Sequence, residues 1–315
     1  MRREVLFLRK SVSGVSEDSL RQARFVTRVH HGIERGVCRS AACYAADPHG
    51  VKWALRRARF HAAGVSGKID SMGERSARHR GMHPGDDRLF GEEAPVSLQL
   101  ALEDYCLLLN RGYSGASALK LVGDRHGLRA RQRLAVSRCS CSDQARASRA
   151  SKRVAFPLSC SRLLIDGYNL LINFETALSG GVVFRARDGC FRDLASLHGT
   201  YRQVAETVPA VTLVGQFLHE EQGYSGEVQW YLDAPVSNSG RLARTIVVVA
   251  AEYSWSWNAE PVPDPDPVLA EAHDVVVTSD SWILDRCQSW CNLASEILTP
   301  RLGSVFVADL SGESV

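Results

Sequence analysis

The chain has 315 residues, 45% hydrophobic and 23% charged, with a formal net charge of +3. That is the composition of a globular protein with room for two cores, not of a disordered or fibrous one. No apolar run approaches the roughly 18 residues of a membrane-spanning helix, which predicts no membrane partner, and the nine cysteines, odd in number and scattered, predict reduced thiols in a cytoplasm, with Cys106 and Cys190 in the core.

Charge is unevenly placed. Lys and Arg exceed Asp and Glu by eight over residues 1–71 and by six over 72–153, whereas residues 154–315 carry eleven more acids than bases. Such asymmetry serves a charged partner at the basic end, or mutual attraction between the halves. Residues 1–71 hold a short helix-period pattern over Val51–Phe60 but no long amphipathic segment. They are expected to lie outside the working fold, with Met72 or Met82 as the start, and to be dispensable for stability.

From Ser76 onwards the text changes. Arg78-His79-Arg80-Gly81 and Pro84-Gly85-Asp86-Asp87 form a polar lead-in. Pro95 opens a helix with a broad apolar face through Leu109, and Gly112 caps its end. A second helix runs from Ala116 to about Val122, and a third starts near Leu128. The third is basic, with Arg129, Arg131, Arg133 and Arg138, followed by Arg146, Arg149, Lys152 and Arg153. Arg129, Arg131 and Arg133 are read either as a phosphate-contacting surface or as a solvated face leading into an interdomain linker over 142–153. His79, His83 and His126 are too separated for metal spacing and are read as turn residues.

The acidic half begins with Leu163-Leu164-Ile165, apolar without alternation, as in a central strand covered on both faces. Asp166 falls at its end, Gly167 lets the backbone turn, and Asn169 supplies a donor and an acceptor nearby. Asp166 would then face a ligand, or else cap the following helix. Val182–Phe184 is read as a short strand, Asp188-Gly189 as a turn, Arg192 to about Glu206 as a helix, and Pro209 as the opening of another. Val228–Asp233 is the next strand, with a turn at Ser237-Asn238-Ser239-Gly240 and a helix from Arg241 towards Ala251. The Pro-Asp repeat at 261–267 is read as a surface loop. Asp274–Asp280 is a third strand, a helix starts from Ile283, and Val305–Ala308 is the last strand.

Three apolar strands thus end in carboxylates: Asp166, Asp233 and Asp280. Strands alternating with helices predict a parallel doubly wound sheet, whose carboxyl ends lie along one edge and bring distant acids together. Converging carboxylates repel one another unless a cation lies between them, and hard oxygen ligands suit Mg²⁺ or Mn²⁺. Such an ion activates water and stabilises phosphate oxygens. Asp188 and Asp193 are candidate outer acids, with a turn acid and a first-turn helix acid as the alternative.

The Asp166-Gly167-Tyr168-Asn169 start, the strand-end acids and the Thr278-Ser279-Asp280 loop resemble the PIN-like and NYN nuclease superfamily, metal-dependent ribonucleases with acids at the carboxyl edge of a small α/β sheet. That resemblance implies a further acid near the last strand-end acid, Asp280, for which Asp285 is the candidate. It leaves Asn238 and Ser239 where a catalytic acid would be expected. Residues about 76–310 also resemble an uncharacterised prokaryotic family known as domain of unknown function 434. The resemblance rests on Arg78-His79-Arg80-Gly81, Arg111-Gly112-Tyr113, Leu121-Val122-Gly123-Asp124, Arg131-Gln132-Arg133, Ile165 to Asn169, Leu232 to Gly240, and Ser279-Asp280.

The sequence reading is therefore an α/β fold: a small all-α basic module over 72–153, then a PIN-like parallel-sheet domain over 154–315. The expected activity is Mg²⁺- or Mn²⁺-dependent cleavage of RNA. Asp166, Asp233 and Asp280 would hold metal, and Asn169 would position water or phosphate. The alternatives are a non-catalytic RNA- or nucleotide-binding protein and a phosphatase-like enzyme on a small phosphorylated substrate.

Overall fold

A computed structural model describes residues 78–91, 96–195 and 199–312, all within one compact unit spanning His61–Val315. The expectations for residues 1–71, including Val51–Phe60 and the start at Met72, lie outside the described residues.

Five helices come first: α1 (Asp86–Phe90), α2 (Val96–Asn110), α3 (Gly115–Arg125), α4 (Ala130–Cys139) and α5 (Asp143–Lys152). Gly112 ends α2 at φ 78°, a left-handed conformation that favours glycine. Residues 142–153 are the helix α5 rather than a linker, and Arg149 on it is buried. Next come β1 (Arg162–Asp166), α6 (Gly167–Leu178), β2 (Val183–Arg185) and β3 (Phe191–Arg192). They are followed by α7 (Thr207–Gly215), prolonged by a π-helical turn over Gln216–Glu221, then β4 (Glu227–Asp233), α8 (Ser239–Glu252), β5 (Trp257–Val262) and α9 (Pro265–Ala270). The chain closes with β6 (Val275–Val277), α10 (Ser281–Arg286), β7 (Trp290–Cys291), α11 (Leu293–Leu298), a 3-10 turn over Thr299–Ser304 and β8 (Val307–Asp309).

The main sheet has the order β5-β4-β1-β6-β7 and every pairing in it is parallel. The central strand β1 is covered on both faces: Leu163 and Ile165 join one core cluster, and Leu164 the opposite one with Val276, Ile283 and Trp290. From β1 the chain moves outward through β4 to β5, then returns to β6 beside β1 and moves outward to β7. The strand order therefore reverses between β1 and β6, the place where such sheets open a crevice for ligands.

The last strand does not extend this sheet. β8 pairs in parallel with β2, and β2 pairs with β3 antiparallel, forming a second three-stranded sheet. The helical part is built on that second sheet. Phe90, Leu98, Leu102, Ala135 and Val136 share one core with Phe184, Ala186 and Ala308, and Phe90 meets Phe184 edge-on at 4.8 Å.

The helix expected over Arg192–Glu206 does not form. Arg192 ends β3, and beyond it Asp193 Oδ1 accepts from the backbone of Ala195 at 2.6 Å, an Asx-type turn that takes the chain out of helical geometry. The loop expected at 261–267 is instead the end of β5 and the first turn of α9. Gly167 has another role than expected: it is the first helical residue of α6, without a positive φ. A Cβ there would meet the carbonyl oxygen of Tyr231 at 2.8 Å and Leu232 Cδ2 at 2.6 Å, so glycine permits the close approach of β4.

Candidate functional site

The sheet topology delivers acids to one edge. Asp166 ends β1, Asp233 ends β4, Asp264 and Asp266 follow β5, and Asp280 follows β6. Asp166, Asp233, Asp266 and Asp280 line one cavity of about 460 Å³, together with Tyr168 and Asn169. The structure therefore brings together the four predicted residues of the site and adds Asp266.

Two strand ends are tied across the switch point. Thr278 Oγ1 donates to Asp166 Oδ2 at 2.7 Å and accepts from the backbone N–H of Asp280 at 3.0 Å. Asn169 Oδ1 accepts from the backbone N–H and from the hydroxyl of Ser279, at 2.8 and 2.7 Å. Its amide nitrogen makes no hydrogen bond among the described residues. Asp166 makes no side-chain cap to α6, which leaves the capping alternative without support at that residue. Asp280 does cap: its Oδ1 accepts from the backbone of Trp282 at 2.7 Å and of Ile283 at 3.2 Å. Asp264 caps α9 in the same way through Asp266 N–H.

Burial raises the Asp166 carboxyl to about 7; the Thr278 hydroxyl works against this, and the fields of Asp280, Asp266 and Asp233 add to it. Asp266 is raised to about 6 by burial and then by Asp280, Asp264 and Asp233. Asp233 is raised by burial, with Asp264 adding to the effect. Among the described residues, none of these five acids pairs with a Lys, Arg or His. Tyr168, 3% exposed on the cavity wall, has a buried hydroxyl without a hydrogen-bond partner.

The predicted outer acids divide. Asp188 is held by Arg149 at 2.5 Å and by both terminal nitrogens of Arg192 at 2.8 and 2.7 Å; burial opposes its charge, but the two guanidinium groups hold its carboxyl far below the usual range. Asp285 accepts from Arg149 Nε at 2.7 Å and does not reach the cavity. Asp193 lines the cavity, 3.8 Å from Arg138. The loop residue Asn238, at φ 72°, donates to the carbonyl of Tyr201 at 2.9 Å, and Ser239 Oγ to the carbonyl of Ala234 at 3.5 Å.

The predicted arginines are largely engaged within the chain. Arg131 makes a two-pronged pair with buried Asp86, both bonds at 2.7 Å, and Arg133 bonds Asp124 at 2.8 Å and the Leu128 carbonyl at 2.9 Å. Arg129 is the exposed residue preceding α4 and has no acid partner among the described residues. The basic residue of α4 that reaches the acid cavity is Arg138, whose Nη1 donates to the carbonyls of Asp193 and Ala195 at 2.7 and 3.0 Å.

A divalent ion fits the chemistry of this donor set: hard oxygens, with Asp166, Asp233 and Asp266 raised by burial and then by neighbouring acids, and no ion pair to a cationic side chain among the described residues. As placed, no three His, Cys, Asp or Glu side chains among the described residues close into a single-ion cage. No helix among them is long and apolar enough to cross a membrane.

Two families match the chain in succession. Residues 97–152, helices α2 to α5, match a family described as protein of unknown function (DUF434). Residues 157–296, most of the α/β part, match one described as domain of unknown function (DUF5616). The likeness to domain of unknown function 434 expected over residues about 76–310 is thus found over 97–152, while 157–296 match the second family instead. No solved structure matches. The chain is 30% identical over 190 residues to the uncharacterized protein MJ0935 of Methanocaldococcus jannaschii, an alignment covering 60% of this chain and 89% of the relative. The chain therefore belongs to the same family as that archaeal protein, a family of unknown function.

Proposed function

We propose that this protein is a Mg²⁺- or Mn²⁺-dependent phosphodiesterase that cleaves RNA, with a PIN-like acid edge as its active site. One observation carries the reading. The acids at the carboxyl edge lack cationic partners among the described residues, and Asp166 and Asp266 are driven towards neutral pH by burial and by their neighbours. Acids elsewhere in the chain, such as Asp188, Asp285 and Asp86, are matched with arginines. Unmatched, partly buried carboxylates at a switch point are costly for the fold unless a cation enters.

Asp166, Asp233, Asp266 and Asp280 would hold the ion. Mg²⁺ is commonly bound by one or two carboxylates, with waters and substrate phosphates completing its shell, so an all-protein cage is not required. When bound, the ion lowers the pKa of a coordinated water and offsets charge on phosphate oxygens. Asn169, fixed through its carbonyl by Ser279, keeps its amide N–H groups for a phosphate oxygen or a water. The Tyr168 hydroxyl supplies a buried donor on the same wall. Arg138 gives the cavity a positive counterpart to the acids.

The deciding assay is metal-dependent cleavage of a mixed RNA substrate. Cleavage by the parent with Mn²⁺ or Mg²⁺, lost with chelator and in Asp166→Asn, is the expected result. A parent protein with no cleavage and no thermal response to either ion would remove the reading.

A further inference from the structure

A second cavity, of about 270 Å³, lies on the other side of a tyrosine pair from the acid edge. Tyr168 lines the acid cavity and Tyr201 lines the second, and their rings meet at 5.1 Å between centroids. The second cavity is basic: Arg78, His79, Arg80 and Arg202 are on its wall. Arg78, His79 and Arg80 belong to the lead-in motif, for which the acid edge supplies no role.

The chain fixes this motif firmly. Arg80 donates to the fully buried Glu175 through Nε at 3.0 Å and Nη2 at 2.5 Å. His79 Nδ1 lies 2.6 Å from Glu206 Oε1. The carbonyl of Arg78 accepts from the Ala205 N–H at 2.9 Å, which joins the segment carrying Arg78 to the one carrying Arg202. Gly81 follows at φ 68°, its carbonyl oxygen 3.2 Å from where a Cβ on Gly181 would stand. The result is a fixed pair of backbones presenting two guanidinium groups, Arg78 and Arg202, that have no acid partner among the described residues. Both are exposed. Glu175 offsets Arg80, so the uncompensated charge on the wall is that of these two arginines.

Resting on the reading of the acid edge as a site for RNA, we propose that this basic cavity is an anion subsite. It binds a backbone phosphate of a single-stranded polynucleotide whose neighbouring phosphodiester lies at the acid edge, beyond the Tyr168–Tyr201 pair. Guanidinium groups match phosphate in geometry as well as in charge. A cation-holding edge and a phosphate-holding cavity a tyrosine pair apart suit a substrate with repeated phosphates better than one with a single phosphate.

The test is binding of a fluorescently labelled single-stranded oligoribonucleotide by anisotropy, in chelator, to the full chain and to a variant combining Arg78→Ala with Arg202→Ala. Working without metal separates this inference from the cleavage assay, because cleavage needs the ion whereas binding at the basic cavity does not. The expected result is at least tenfold weaker binding by the double variant at moderate salt. The log–log salt slope should fall by about 0.7 for each phosphate contact removed, with an unchanged melting temperature. Equal affinity and slope in the two proteins, or no binding by the parent, would overturn the proposal. So would a 5′-mononucleotide competing as well as the unlabelled oligonucleotide, since it would assign the cavity to a small ligand.

Discussion

Thr278 Oγ1 donates to Asp166 Oδ2 at 2.7 Å, the hydrogen bond by which β6 holds the acid at the end of β1 in place. The same hydroxyl accepts from the N–H of Asp280. One side chain therefore fixes the spacing of two acids from strands that are far apart in sequence and adjacent in the sheet. Although this bond favours the ionised form of Asp166, burial outweighs it and leaves the carboxyl at about 7.

That balance sets a pH dependence of stability. A carboxyl whose folded pKa is raised above its unfolded value near 3.9 stabilises the fold while protonated. Its contribution is complete below the unfolded pKa and is lost as pH rises through the folded one, here about 7. The metal-free protein should therefore lose stability between pH 4 and 8, by an amount on the order of 4 kcal/mol from Asp166. Asp166→Asn should flatten this slope, and millimolar Mg²⁺ or Mn²⁺ should offset it at pH 8 by binding only the folded state. Thermal melts across pH, with chelator and with metal, check all three; a parent curve as flat as that of Asp166→Asn would refute the assignment.

Asp266 and Asp188 should respond in opposite directions. Asp266→Asn relieves repulsion by Asp280, Asp264 and Asp233, so the metal-free protein should be as stable or more stable, with a smaller metal response. Asp188→Asn leaves Arg149 and Arg192, both buried, without their shared carboxylate. Breaking such a pair costs roughly 3–5 kcal/mol, and metal should not restore it. Urea melts of the two variants measure the contrast. A stabilising Asp188→Asn would place that acid among the repelled ones instead.

Gly167→Ala tests the close approach of β4. The added Cβ would stand 2.8 Å from a backbone oxygen of Tyr231 and 2.6 Å from Leu232 Cδ2. The side chain can shift but the strand cannot do so without weakening its pairing with β1. A loss of about 1–3 kcal/mol is expected, as for other overpacked sites. The metal response should weaken with it, because the displaced strand carries Asp233. Full retention of both would show that α6 can move away on its own.

The sequence made the centre of the site legible and left its surroundings hidden, for physical reasons. Leu163–Ile165, Val228–Leu232 and Val275–Val277 are buried enough to read as apolar strands, so the acids that follow them stand out. β5 is an edge strand with exposed Asn258 and Glu260 and with Pro261 where only an edge tolerates it. Without an apolar run before them, Asp264 and Asp266 read as loop residues; the available signal was a fourth strand-then-acid junction disguised by prolines. The segment Asp143–Lys152 is polar enough to pass for a linker, yet Arg149 is buried there because Asp188 and Asp285, distant in sequence, come to meet it. Arg131 and Arg133 illustrate the same limit: a basic run shows charge, while its partners Asp86 and Asp124 are set by helix packing.

Glu175 should prove the anchor of the basic cavity. It is fully buried on α6 and accepts from Arg80, from Thr207 Oγ1 at 2.6 Å and from the Tyr201 hydroxyl. Burial raises the Tyr201 phenol well above its ordinary range and the neighbouring Glu175 charge raises it further, so the tyrosine remains a donor at any working pH. Glu175→Gln keeps the shape but removes the charge that balances Arg80. Arg80 keeps some access to water, so the cost should lie near the lower end for a broken buried pair, about 3 kcal/mol. With Arg80 released, the motif that carries Arg78 loses its fixed backbone. Oligoribonucleotide binding in chelator should then weaken even though position 175 does not line the cavity, while the smaller Thr207→Ser change should leave binding intact because the hydroxyl is kept. Urea unfolding and anisotropy on the same samples, at a temperature where Glu175→Gln is still folded, separate the two effects. Destabilisation with binding unchanged would confine Glu175 to the core and leave Arg78 to be placed by Ala205 and Glu206 alone.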